Sequence, residues 1–146
     1  MNRSFDSSFG FLVADTARLF RSSLEKLLSD AKLEISHGEV KILNAISTYG
    51  GRRQNAIAAT LGVEPMTVSA FLDRLELRGL VVRLPDPSDR RAKIIRETQA
   101  AHDLFEEVFP LTEDVAERAT RGIAEEKILV AEEVLSAMRK NLAAGC

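Results

Sequence analysis

The sequence has few of the residues on which reactive chemistry depends. Its 146 residues include one cysteine, Cys146, and two histidines, His37 and His102. A single cysteine excludes an intramolecular disulfide and fits a reducing compartment. Standing last in the chain, Cys146 also lacks the basic, hydrogen-bonded setting of a sensor thiol. The two histidines are far apart and no Cys/His cluster accompanies them, so no metal site is expected. HExxH, P-loop, GxSxG and CxxC patterns are absent, which argues against an enzyme and gives no sign of a cofactor. The adjacent carboxylates Glu106-Glu107 and Glu125-Glu126 fall in helical segments, where neighbours point in different directions and read as solvated faces. No apolar run approaches the roughly 20 residues of a membrane helix, and no charged start leads into an apolar signal segment. A cytoplasmic protein with no membrane partner is expected.

Hydrophobic residues make up 45% and charged residues 29% of the chain, values of a globular protein. The length suggests one domain over residues 1–146. Its formal net charge of −2 conceals a strong division. Residues 52–96 carry nine basic and five acidic side chains, whereas residues 97–146 carry five basic and eleven acidic ones. Positive charge is therefore confined to one central segment, the pattern expected of a nucleic-acid-binding surface.

That segment has a readable architecture. Gln54 to Leu61 and Pro65 to Arg78 show helical apolar spacing and are separated by Gly62-Val63-Glu64, a helix-turn-helix pattern. Pro65 suits a first helical position, and Gly79 a helix stop of the Schellman type. Leu80 to Leu84 and Ala92 to Arg96 are apolar, β-branched runs joined by Asp86-Pro87-Ser88-Asp89-Arg90-Arg91, a hairpin pattern. The fold class expected is mainly α: a winged helix-turn-helix lobe over 36–97, flanked by helices in 1–35 and 98–146.

Leu72-Asp73-Arg74-Leu75-Glu76-Leu77-Arg78-Gly79-Leu80-Val81 followed by Asp86-Pro87-Ser88-Asp89-Arg90-Arg91-Ala92-Lys93 resembles the recognition-helix end and wing of the multiple-antibiotic-resistance regulator (MarR) family. The resemblance implies a dimeric, small-molecule- or redox-responsive transcription regulator, with Arg91 entering the minor groove and Asp89 orienting it. It also implies an effector pocket between the dimerisation helices and the DNA-binding lobe, often for aromatic acids. Where many members carry a basic residue in mid-helix this chain has Ala70, and Glu97-Thr98 and Ala101 stand where a Leu-Thr pair and a glycine are usual.

On this reading double-stranded DNA is met by recognition helix 65–78 and by wing 85–92. Met66, Thr67, Ser69 and Ala70 face outward near the helix start, with Arg74 a turn later as the one fork able to take a guanine bidentately. The alternative is an Arg74 held by Asp73, Glu76 or the neighbours of Arg78. Asp89, Arg90, Arg91 and Lys93 supply the wing contacts. Phe20, His37 and Tyr49 are the candidates for a small aromatic or phenolic effector, against core packing for Phe20 and Tyr49 and a solvated helix start for His37. The remaining helices are expected at about 7–31, from the capping box Ser36-His37-Gly38-Glu39 to Tyr49, at 102–121 with Pro110 bending it or resetting its start, and at 125–141. A homodimer, joined through the first helix with its aromatic start at Phe5, Phe9 and Phe11 and through the last two helices, would set two recognition helices roughly 34 Å apart. The other reading is a winged helix used only for protein contacts, without salt-steep DNA affinity.

Overall fold

In the computed structural model, residues 8–50 and 52–145 are described; Phe5 and Cys146 lie outside them. Six helices and a small sheet follow one another: α1 Phe9–Asp30, α2 His37–Tyr49, β1 Arg52–Arg53, α3 Gln54–Leu61, α4 Pro65–Leu77, β2 Val81–Asp86, β3 Asp89–Glu97, α5 Gln99–Thr120 and α6 Glu125–Ala144. The helix-turn-helix and the hairpin are present as expected. The hairpin gains a third strand, because β1 pairs with β3 through Arg52↔Ile95 and Arg53↔Ile94 and puts β3 in the middle of the sheet. Two residues are too few to show a strand period, and nothing in Arg52-Arg53 announces one.

Local chemistry fixes the element ends. Ser36 Oγ accepts from the Glu39 amide at 3.2 Å while Glu39 Oε2 accepts from the Ser36 amide at 2.8 Å, so the capping box forms in full. At the end of α4, Gly79 adopts φ 71°. Its amide donates to the Glu76 carbonyl and the Leu80 amide to the Leu75 carbonyl, both at 2.9 Å, closing the expected Schellman motif. Helix α5 starts three residues earlier than the sequence pattern suggests, with Thr98 at its N-cap position. The Thr98 hydroxyl does not cap; it donates to the Gly79 carbonyl at 2.6 Å and ties the start of α5 to the end of α4. Pro110 lies inside α5 and does not end it.

The core runs from the winged-helix lobe into the long helices. Ile42, Leu43 and Ile46 of α2, Ile57 of α3, and Val68, Leu72 and Leu75 of α4 are almost completely buried, against Val81 and Ile95 of the sheet. Each such side chain contributes roughly 1.5–3 kcal/mol of burial free energy. Leu24 and Leu28 of α1 and Ala101, Val108 and Val115 of α5 continue this cluster. Helix α6 differs, since it buries no residue at all. Leu129, Val130, Val134, Leu135 and Leu142 on it are exposed, as are Phe9, Leu12 and Leu19 on α1. No helix among the described residues is long and apolar enough to cross a membrane.

Candidate nucleic-acid interface

Helix α4 turns one stripe into the core and the opposite one outward. With Val68, Leu72 and Leu75 fully buried, Met66 (85% exposed), Ala70 and Leu77 (89% exposed) occupy the outer stripe, flanked by Thr67 and Arg74. Ser69 is only half-buried and lies off this stripe. Leu77 was not anticipated, because an apolar residue at a helix end reads as core until its neighbours are placed.

The competitors expected for Arg74 are engaged elsewhere. Arg83 of β2 reaches back to α4, placing NH2 2.7 Å from Asp73 Oδ1 and pairing through NH1 with Glu76. One guanidinium on two carboxylates spans strand and helix, so the wing is fixed against α4. Arg74 instead places its Nε 3.2 Å from Glu39 Oε1, across the lobe on α2, and its guanidinium carbon 4.8 Å from the centre of the Phe71 ring. Arg78 donates to the Glu34 carbonyl. Pairs this distant in sequence leave no spacing signal, which is why Glu39 and Arg83 escape a sequence reading.

The wing tip is built differently from the expected loop. Strand β3 begins at Asp89, so Arg90 and Arg91 belong to a strand and the connection is Pro87-Ser88. Between the pairs Pro85↔Lys93 and Asp86↔Asp89, β3 carries Arg90, Arg91 and Ala92 with no counterpart on β2. Such an irregularity re-aims side chains away from the ladder. Arg90, Arg91 and Lys93 are all exposed there. Asp89 takes the Arg91 amide on Oδ1 at 2.9 Å, and its other oxygen is 3.8 Å from Arg53 NH1. It therefore orders the Arg91 backbone, whereas orientation of the guanidinium was expected.

Asp86 anchors this tip. Its buried carboxylate accepts from the Ser88 hydroxyl at 2.7 Å and the Ser88 amide at 2.8 Å, and pairs with Arg53 NH2 at 2.6 Å. The Ser88 bonds, ahead of those from Arg53, hold its pKa at about 2. A folded-state pKa below the unfolded value of about 3.8 stabilises the fold at higher pH, and that contribution disappears as pH falls from about 4 through about 2. Asp86→Asn is expected to abolish this part of the acid-induced loss, read as the thermal midpoint against pH; an unchanged profile would show that Asp86 is not its source.

Residues 35–93, which hold α2 to most of β3, match the family model described as the MarR family. Over this segment the chain matches the MarR family. Its backbone superposes on that of a MarR-family transcriptional regulator from Rhodococcus sp. RHA1 with TM-score 0.82 and 25% identity, covering 94% of this chain and 96% of that one. For CouR from Rhodococcus jostii RHA1 bound to p-coumaroyl-CoA the TM-score is 0.79 and the identity 27%, over 94% and 95% of the two chains. A mutant MarR from E. coli complexed with operator DNA shares the fold at TM-score 0.81 and 23% identity, over 94% and 99%.

Above the MarR-type lobe, Phe20, Arg21 and Leu24 of α1, His37 and Lys41 of α2, and Thr112 and Val115 of α5 line an open cavity of about 440 Å³. Phe20 and His37 thus come together, and Phe20 also borders the adjoining hollow formed with Thr16, Leu19 and Arg118. Burial, then the nearby Lys41 and Arg21, lower the His37 pKa against the opposing pull of Glu25. Tyr49 is not part of this lining: it ends α2, roughly 18 Å along the axis from His37, and is half exposed. Neither Phe20 nor Tyr49 is a core residue.

Proposed function

We propose that this chain is a dimeric, sequence-specific DNA-binding transcription regulator, a repressor reading a pseudo-palindromic operator in the cytoplasm and modulated by a small aromatic or phenolic effector. One observation carries the reading. The exposed stripe of α4 and the displaced Arg90-Arg91 pair of the wing are locked to each other through Arg83, giving a helix for the major groove and arginines for the phosphates or minor groove beside it. Met66, Thr67, Ala70 and Arg74 serve the first contact, with the half-buried Ser69 at its edge, and Asp89, Arg90, Arg91 and Lys93 serve the second. A neighbour of the same fold complexed with operator DNA supports this use of the surface.

The dimer is supported by the unburied apolar face of α6 together with the exposed end of α1. The effector is supported by the cavity at Phe20 and His37, whose cationic rim of Arg21 and Lys41 suits an acidic aromatic compound, and by CouR, bound to p-coumaroyl-CoA. His37 sits in the first turn of α2, next to the residues that touch α4, so an occupant of the cavity would press on the recognition helix through a single helical turn. No residue constellation for catalysis enters this reading.

One feature favours protein contacts instead: the outermost side chains of α4, Met66 and Leu77, are apolar. Selection of bound duplexes from random DNA, followed by titration at several salt concentrations, separates the two. A two-fold-symmetric site with a log-log slope of roughly −0.9 per neutralised phosphate is expected. No enriched site and a shallow slope would turn the assignment to a protein-interaction module.

A further inference from the structure

Glu39 is only 6% exposed, yet it is charged and stands in the first turn of α2. Its two oxygens have separate duties: Oε2 completes the capping box on the Ser36 amide, and Oε1 faces Arg74 Nε. The next contact is steric. Gly38 lies against the Phe71 ring so closely that a Cβ at position 38 would come within 2.7 Å of Cζ. The Arg74 guanidinium covers the same ring at 4.8 Å. The first turn of α2 thus presents a backbone face that backs the ring and a carboxylate that takes the inner nitrogen of the arginine.

A guanidinium held in this way keeps its other edge available. Glu39 meets Arg74 at Nε, and the arginine side chain is 58% exposed, so much of the guanidinium faces solvent. A planar fork gains most as a bidentate donor when its plane and direction are set beforehand, since less rotational freedom is lost on contact. We propose that Glu39, which need not touch DNA, is a positioning residue for base recognition: it aims Arg74 from the Phe71 platform at one base pair in each half-site. This rests on the DNA-binding reading above. It also assigns sequence discrimination to the one arginine on α4 whose fork is left open, in a helix whose outer stripe is otherwise short of hydrogen-bonding groups.

Glutamine at position 39 separates the two duties. It is a capping-box residue in its own right, so α2 keeps its start, but it brings no negative charge to Arg74. Duplex selection with Glu39→Gln is expected to flatten the preference at a single base pair per half-site by roughly tenfold, with the salt slope unchanged. Arg74→Ala should flatten the same base pair, and adding Glu39→Gln to it should change nothing further. Direct observation of the Arg74 Nε–H resonance should show slow solvent exchange in the natural chain and fast exchange in Glu39→Gln. If Glu39→Gln weakens all duplexes alike, or loses preference equally in the Arg74→Ala background, the positioning role is overturned while DNA binding stands. If the natural chain selects no duplex, the DNA reading fails and this inference with it.

Discussion

Replacing Arg91 by alanine should weaken operator binding by about 1–3 kcal/mol, which is roughly 5- to 150-fold, with the dimer and the thermal midpoint unchanged. The expectation comes from the bulge. A side chain on a regular ladder would share its strand's alternation and half of such residues would face the body of the lobe. Arg91 has no partner on β2, its amide is held by Asp89, and its side chain is exposed. Among the described residues no ion pair or hydrogen bond involves its guanidinium, so its loss should register only when DNA is present. The form of the loss also matters. If Arg91 enters a narrow minor groove, the penalty should be larger for operators with A·T-rich flanks, where the negative potential is concentrated. Lys93→Ala should cost less and cost it uniformly, lowering the salt slope by about 1. Anisotropy titrations on duplexes with A·T-rich and G·C-rich flanks read both effects. Equal affinities for the natural chain and Arg91→Ala would remove the wing from the interface.

Most of the scaffold was legible because its signals are local. Gly79 and Ser36-Glu39 each determine a helix end through bonds between residues three to five apart, Pro65 suits a first turn because it has no amide hydrogen to leave unpaired, and the buried stripe Val68, Leu72 and Leu75 repeats at helical spacing. The third strand was not legible, since Arg52-Arg53 is recruited by β3 from forty residues away. The same holds for the site. Exposure of Met66, Thr67 and Ala70 follows from the helix period, but Ser69 is drawn partly inward and Leu77 turns out. Which carboxylate meets which arginine is decided by how α2, α4 and β2 pack. Thus Asp73 and Glu76, the local partners open to Arg74, belong to Arg83, and the buried Glu39 takes Arg74. In the sequence Asp86 reads as a turn residue; its pairing with Arg53 makes it the anchor between wing and β1. Tyr49, a candidate beside Phe20 and His37 in the sequence, is separated from them by the length of α2.

Val130→Glu combined with Val134→Glu should convert the protein to a monomer and weaken operator binding by at least about 100-fold, the larger of the two effects. Both valines are exposed on α6 one turn apart, 58% and 43% respectively, so the folded protomer gives up no core contact when they change. In a dimer that buries this face, two carboxylates per chain would lose their water without gaining partners, and two such faces would repel each other. The DNA consequence follows from geometry. Two recognition helices joined at a fixed separation bind their half-sites as one event, the second contact being made at the effective concentration set by the first. A monomer keeps Arg74, Arg91 and the whole of α4, so it should retain the base preferences of a single half-site while losing the dependence on half-site spacing. Sedimentation, circular dichroism and spacing-varied duplexes together test this. A variant that stays dimeric would place the interface on another face. One that is monomeric, folded and still tight on the full operator would show that each lobe acts alone, and the pseudo-palindrome would then have no structural cause in this chain.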